Sequence, residues 1–378
     1  MTETTVRRGG VRRPIPVEEP VILNMTERAG AIRETLQNRD QKKSSVEFIS
    51  SGVIPLNLAL SGRALIGGWA RGRIVNIVGD GSSGKTLMAI ELLFFAFQHI
   101  IAMISKLYPK IKKINLVYAN AEKVMDFPLE EMYGEDFVLS IDWRYPETVE
   151  EWGRDFARTC MEYKPGEFTI YVVDSLDALP SQAQKERFLA AAKADEAEKD
   201  SYNTEKAKYL SMSFFANICS MMKDKDITLV VINQIREKIG VAFGEKYYRA
   251  GGKGLDFYTH QVVWLAEIEK LKKTVHGKEM VYGIRVKAKV KRSKVAKPFR
   301  EAEFVILFDY GVDNISSSLA WLYGPKKDKL EWDGIQYDRA GLIAHIGKNN
   351  LQEELARRLE EEWWYIEENI KQERPPRF

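Results

Sequence analysis

The stretch Gly79, Asp80, Gly81, Ser82, Ser83, Gly84, Lys85 and Thr86 has the residue types and spacing to hold a row of phosphates. Glycines let a backbone curl so that successive N–H groups point inward at phosphate oxygens. A helix opening at the end of such a loop adds its positive N-terminal end. In this G-x-x-x-x-G-K-[ST] pattern, Lys85 would neutralise the β- and γ-phosphates and the Thr86 hydroxyl would ligate Mg²⁺. The expectation is a nucleoside triphosphate site, with ATP as the nucleotide.

Two acids could complete such a site. Ile170–Asp174 is an apolar strand that ends in a carboxylate. An Asp at the carboxyl end of a neighbouring strand can hold Mg²⁺ through water, although many strands end in Asp simply as a turn residue. Glu122 lies just past another predicted strand end, in Val117–Glu122. A carboxylate there could orient and polarise an attacking water. Position alone leaves that role level with a solvated loop acid.

The elements that must carry these residues are legible as a pattern. Ile74–Val78, Ile114–Ala119, Thr169–Val173 and Ile227–Ile232 are short apolar runs typical of strands buried on both faces. Between them lie the predicted helices Thr86–Ser105, Val149–Glu162 and Lys206–Met222. This alternation predicts an α/β fold with a mainly parallel sheet flanked by helices. Ile284–Arg292 differs, because apolar and cationic residues alternate there, as in a half-exposed strand.

The ends have another character. Residues 1–22 are rich in Pro and Arg and predict a disordered tail. Residues 23–50 read as a helix, with Asn24 as N-cap and Glu27 three residues on, followed by the extended segment Val46–Ser50. That unit is too short to be stable alone and must dock on its own core or on a neighbour. Residues 51–314 form the expected ATPase core. Residues 315–378 form a small C-terminal domain, Trp- and Tyr-rich over Leu319–Gly341 and then a charged helix over Leu351–Ile370.

Composition excludes several classes. The 378 residues carry a net charge of only +3, and 45% are apolar, enough for a sizeable core. Two cysteines, Cys160 and Cys219, and four histidines show no disulfide framework or zinc spacing. The N-terminus has no apolar core of a secretory signal, and the longest apolar run, Leu92–Ile104, is too short to span a bilayer. The reading is a soluble intracellular protein with no membrane partner.

Further motifs share an order and spacing. Ile232–Gly244 is followed by Gly251, Gly252 and Leu255–Tyr258, and then by Lys294–Phe299 and Ala302–Phe304. With the phosphate loop, the Ala121–Glu122 pair, Asp126 and Val173–Ser175, they resemble the RecA family of DNA strand-exchange ATPases, in the manner of a divergent bacterial or phage-type member. The resemblance runs from about Ser51 to Val312 and continues more weakly beyond.

The resemblance implies an ATP-dependent protein that filaments on single-stranded DNA and pairs it with homologous duplex DNA. It places the protein in the cytoplasm of a bacterial or phage-infected cell. Its partners would include further copies of itself, with single-strand-binding or loader proteins as further candidates. Glu122 would be the water-activating glutamate and Gln234 the γ-phosphate sensor. The following loop, about Glu237–Asp256, would bind DNA through Arg236, Lys238, Ile239, Gly240, Arg249, Gly251, Gly252 and Lys253. Ile239 would be the apolar wedge between bases. Arg292 and Lys294 would reach the ATP of the adjacent subunit. Asp126 and Phe127 would meet the nucleoside, because the usual aromatic stacking position falls at Leu129. The N-terminal helix and strand would pack on the adjacent protomer.

The sequence departs from the family at the first DNA loop, near Gln182–Thr204, which is long, rich in Ala, Lys and Glu, and without glycines. The family's acidic tail is missing too. Lys270–Arg300 holds twelve Lys/Arg against one acid, Glu279, which independently suggests contact with phosphates. The same core could instead serve a DNA motor or helicase, or a regulatory ATPase that assembles on protein partners.

Overall fold

Runs that are apolar at every position become inner strands, because only a strand covered on both faces has no solvated side. The computed structural model describes residues 46–100, 111–125, 127–194, 204–237, 247–248 and 252–372. Its strands in chain order are β1 (Phe48–Ile49), β2 (Trp69–Ala70), β3 (Ile74–Gly79), β4 (Lys113–Asn120), β5 (Ile141–Arg144), β6 (Glu167–Asp174) and β7 (Ile227–Gln234). There follow β8 (Arg236–Glu237), β9 (Tyr247–Tyr248), β10 (Gln261–Val275), β11 (Lys278–Ser293), β12 (Glu301–Leu307), β13 (Gly311–Asp313), β14 (Lys329–Trp332) and β15 (Ile335–Asp338).

Nine of them form one sheet in the order β13-β12-β11-β10-β3-β7-β6-β4-β5. From β10 through β3, β7, β6 and β4 to β5 the pairs are parallel, and β10 to β13 are joined antiparallel. Alternation sorts the side chains of the parallel strands. Val75, Ile77, Leu116, Tyr118, Ile170, Val172, Val230 and Ile232 pack with the helix Lys85–Phe95. Val117, Ala119, Tyr171, Val173, Leu229 and Val231 pack with Trp152, Phe156 and Cys160 of the helix Val149–Glu162. The latter helix starts where Thr148 accepts from the Glu151 N–H at 3.2 Å, with Glu150 and Glu151 in its positive first turn.

The predicted helix Lys206–Met222 is helical but broken in type. It runs as Thr204–Lys208, a π-helical stretch Tyr209–Phe214, and Phe215–Met221. Likewise the helix after the phosphate loop passes into a π-helical turn at Ala96–Ile100. The region proposed for a first DNA loop opens with a helix, Gln182–Ala194. Its Ala- and Lys-rich, glycine-free sequence has high helix propensity, which accounts for the missing loop character.

The described part of the segment read as an oligomerisation unit pairs with its own chain. Phe48 pairs with Ala70 and Ile49 with Trp69. Buried Asn57 accepts from the Ser51 N–H at 2.8 Å and donates to the Ala64 carbonyl at 2.8 Å. Buried Gln261 accepts from the Ala70 N–H at 2.7 Å, which ties this corner to the sheet. The predicted tail and the helix after Asn24 lie outside the described residues.

At the other end, helices Asn314–Tyr323, Arg339–Lys348 and Gln352–Asn369 surround the hairpin β14–β15. Leu319, Trp332, Leu342, Leu355 and Leu359 join the same apolar core as Val75 and Ile77. Among the described residues no helix is long and apolar enough to cross a membrane.

One acid lies inside this packing. Glu91, on the helix that follows the phosphate loop, accepts from the Tyr133 hydroxyl and the Val312 N–H, both at 2.9 Å. Burial raises its pKa, and those two hydrogen bonds only partly oppose the rise. The fold therefore binds the Glu91 proton more tightly than the unfolded chain does. Its contribution to stability is full below the ordinary glutamate pKa and is lost as pH rises through the folded value. Glu91→Gln keeps an acceptor and cannot ionise. In urea denaturation at pH 4 to 8, we expect the variant to gain stability relative to the wild type as pH rises. A variant that loses stability relative to the wild type as pH rises would contradict this.

Candidate active site

Parallel pairing brings four strand ends to one edge of the sheet. Gly79 of β3 is level with Gln234 of β7, and Asp174 of β6 is level with Asn120 of β4. Glu122 follows β4 by two residues, and the main-chain N–H groups of Ala121 and Glu122 donate to the Asp174 carbonyl. Ligand sites of parallel α/β sheets form at such carboxyl ends, where the loops are free to adopt special shapes.

The loop Gly79–Thr86 joins β3 to its helix as its sequence predicts. A Cβ on Gly79 would lie 2.2 Å from the Ser83 hydroxyl, so no side chain fits there. Gly84 has a φ of +83°, a left-handed conformation that L side chains disfavour, and it is the helix N-cap. Lys85 is mostly buried and its ammonium donates to the Asp80 carbonyl at 2.6 Å. Burial lowers its pKa, while Asp174, Glu122 and Asp80 favour the charged form.

Around this loop the side chains form two linked sets. In the first, Asp174 accepts on one oxygen from the Thr86 hydroxyl and from the Tyr118 hydroxyl, each at 2.6 Å. Tyr118 is wholly buried, and burial raises the Asp174 pKa against these two bonds. Thr86 and Asp174 are thus two hard oxygen donors side by side. They suit Mg²⁺, which takes few protein ligands and keeps waters and phosphate oxygens for the rest. Among the described residues no cluster of three His, Cys, Asp or Glu could hold a metal by itself.

In the second set, Glu122 accepts from the Ser175 hydroxyl at 2.7 Å and from the Gln234 side-chain amide at 3.2 Å. Asp177 accepts from the Gln234 main-chain N–H at 2.8 Å and from the Asn233 side chain at 3.0 Å. Asn233 in turn accepts from Asn76 of β3 at 2.6 Å. Sequence reasoning missed Tyr118, Ser175, Asp177 and Asn233. Asp177 could have been flagged, because it follows Asp174 by three residues at a strand end. The buried Tyr118 reads as core until its partner is known.

Comparison with known families now has a geometry to meet. Residues 23–313 match the family model described as RecA N-terminal domain, well over half of the chain. The chain belongs to the RecA family. It is 30% identical over 328 residues to Protein RecA of Ehrlichia canis (strain Jake), covering 85% of this chain and 79% of that relative. It is 31% identical over 337 residues to Protein RecA of Staphylococcus carnosus (strain TM300), covering 88% and 83%. Protein RecA of Gloeothece citriformis (strain PCC 7424) is 29% identical over 352 residues, covering 93% and 85%.

Within this RecA-family fold the remaining predicted residues scatter. Phe127 is exposed and Leu129 buried, and both line a pocket of about 380 Å³ with Met125, Pro128 and Asn120. Asp126 lies outside the described residues, as do Lys238, Ile239, Gly240, Arg249 and Gly251. Arg236 starts the short ladder β8–β9, whose other strand is Tyr247–Tyr248, while Gly252 and Lys253 open the helix Gly252–Tyr258.

Arg292 and Lys294 sit away from the chain's own phosphate loop. Arg292 is level with Val262, which is level with Asn76, three residues before Gly79 on β3. At about 3.3 Å per residue, that is about 10 Å along the strand, on the side away from the loop. Arg292 donates to the Asp256 carbonyl, and Lys294 donates to the Phe257 carbonyl at 2.6 Å.

The fold pairs part of the one-sided basic run with acids. Lys287 and Lys289 each pair with Glu301 at 2.6 Å, Arg285 with Glu269 at 2.8 Å, and Lys272 with Glu279 at 2.7 Å. Lys297 pairs with buried Glu367 at 2.6 Å, and Arg300 pairs with it at 2.5 Å. Apart from Glu279, these acids lie outside the run, on adjacent strands and the last helix. Six of the twelve cations thus share four acids, which reduces the local excess of charge without removing it.

We expect Tyr118→Phe to lose about 1–2 kcal/mol of stability in chemical denaturation, because buried Asp174 loses a hydrogen bond. An unchanged midpoint would show that the phenol adds nothing there.

Proposed function

We propose that this chain is an ATP-dependent recombinase that assembles as a helical filament on single-stranded DNA and pairs it with homologous duplex DNA. The observation that carries the reading is Gln234. Its side-chain amide reaches Glu122, and its main chain leads directly into the segment read as the second DNA loop. One residue thus joins the hydrolytic carboxylate to the DNA-contacting region. The RecA-family relatives support the same reading.

ATP would lay its phosphates along Gly79–Thr86, with Lys85 between the β- and γ-phosphates and Phe127 beside the base. Thr86 and Asp174 would hold Mg²⁺, which supplies charge neutralisation to the phosphate oxygens. Asp174, Glu122, Asp80 and Asp177 favour the charged form of Lys85 against its burial, which suits it to meet the phosphates as a cation. Glu122 would orient the attacking water and accept its proton. In the ground state its Oε1 is held by Ser175 and Gln234. When the Gln234 amide turns to the γ-phosphate, Glu122 is released to the water and the start of the loop moves with Gln234.

Arg292 and Lys294 would complete the site from the next subunit, since they lie away from the phosphate loop of their own chain. ATP then lies between protomers, and nucleotide state governs the filament. Residues 23–50 would contribute to that contact, and residues 315–378 would form the C-terminal domain. Ile239 and the glycines at 251 and 252 would meet the bases and backbone of the single strand.

The test is ATP hydrolysis with and without single-stranded DNA, alongside electron microscopy. We expect stimulation by DNA and helical filaments with ATP, and the absence of both would refute the recombinase reading. Lys85→Ala should abolish turnover. Glu122→Gln should retain nucleotide binding while turnover falls by about 100-fold or more. Normal hydrolysis by Glu122→Gln would place the base elsewhere.

A further inference from the structure

The turn after β6 serves neither the phosphates nor the metal directly, yet three separate elements grip it. Leu176–Ala178 is a single 3₁₀ turn. Just before it, the Ser175 hydroxyl donates to Glu122 at 2.7 Å. Within it, the Asp177 carboxylate accepts from the Gln234 main-chain N–H at 2.8 Å and from Asn233 at 3.0 Å. On its carbonyls, the Lys206 ammonium bonds Leu176 at 2.6 Å and Asp177 at 3.3 Å. Lys206 lies on the helix Thr204–Lys208, at the exit of the segment read as the first DNA loop. Gln234 lies at the entrance to the second.

We propose that Asp177 and Lys206 are positioning residues that couple both DNA-loop segments to the nucleotide site through the 175–178 turn. This inference rests on the recombinase reading for its purpose, and on the bonds above for its geometry. The bonds form a closed circuit from Glu122 through Ser175, the turn and Asp177 to Gln234, and back to Glu122. A shift of the Gln234 main chain that follows its side-chain amide loads the turn through Asp177, and the turn carries the load to Lys206. A carboxylate suits the Asp177 position because one oxygen accepts two donors at once. A flexible ammonium suits Lys206 because it can follow two carbonyls as the turn moves.

Asp177→Ala, Asp177→Asn and Lys206→Met would be compared with the wild type in two measurements. The first is amide hydrogen exchange over residues 175–181, 204–208 and 232–237, with and without a non-hydrolysable ATP analogue. The second is the ratio of ATPase rates with and without single-stranded DNA. In the wild type we expect the analogue to slow exchange in all three segments. In Asp177→Ala the response at 232–237 should vanish, and the DNA stimulation ratio should fall by about 5-fold or more. Asp177→Asn keeps an acceptor and should restore both.

Lys206→Met should lose the response at 204–208 while DNA-free turnover stays unchanged. A merely structural Asp177 would raise exchange equally with and without the analogue. That result, or wild-type responses in both Asp177→Ala and Lys206→Met, would overturn the proposal. If Asp177→Ala fails to fold, Lys206→Met decides by the same readouts. If the wild type shows no DNA stimulation, the recombinase reading fails, and the exchange measurement still decides the coupling.

Discussion

The parallel ladder that holds β3, β7, β6 and β4 side by side is the constraint on which the rest depends. Its register sets Gly79 beside Gln234 and Asn120 beside Asp174. A slip of one residue would turn every side chain of a strand to the opposite face. It would also separate the Thr86 hydroxyl from Asp174 and the Gln234 amide from Glu122. The unbroken apolar runs of these strands, packed from both sides, hold that register.

Charge in the site follows from the same alignment. Lys85, Asp174, Glu122 and Asp177 come from three different strand ends, yet each lies within electrostatic reach of the lysine. The desolvation that lowers the pKa of Lys85 is thus opposed by acids that the ladder puts beside it. The basic strand β11 is a second case of charge settled by neighbours. Its Arg285, Lys287 and Lys289 read as part of a surplus in one dimension and form ion pairs with acids of β10 and β12 in three. Arg292 and Lys294 differ because they end on carbonyls rather than carboxylates, and so keep their charge uncompensated by these acids.

Much of this could be read without coordinates. The phosphate loop, the helix after it, the inner strands and the acids Glu122 and Asp174 were legible because each is a local pattern of spacing and periodicity. Helix Val149–Glu162 was read to the residue because an N-cap threonine and an amphipathic stripe mark it. The π-helical turns at Tyr209–Phe214 and Ala96–Ile100 were not legible, since a one-residue change in helix pairing leaves no signature in composition. The docking of Phe48–Ile49 on the chain's own core was open for a similar reason. A two-residue strand pairs wherever an edge is offered, and only the fold offers Trp69–Ala70.

The sequence alone therefore determined the family, the fold class and the shape of the loop Gly79–Thr86, because these rest on residues near one another in the chain. The tertiary structure decided which polar groups share a proton or a hydrogen bond. Tyr118 with Asp174, Ser175 with Glu122, and Asp177 with Gln234 are pairs whose members come from different strands or loops. Their partnership exists only in the register of the sheet. The same register sets Arg292 level with Asn76, three residues back from Gly79 and away from the chain's own phosphate loop.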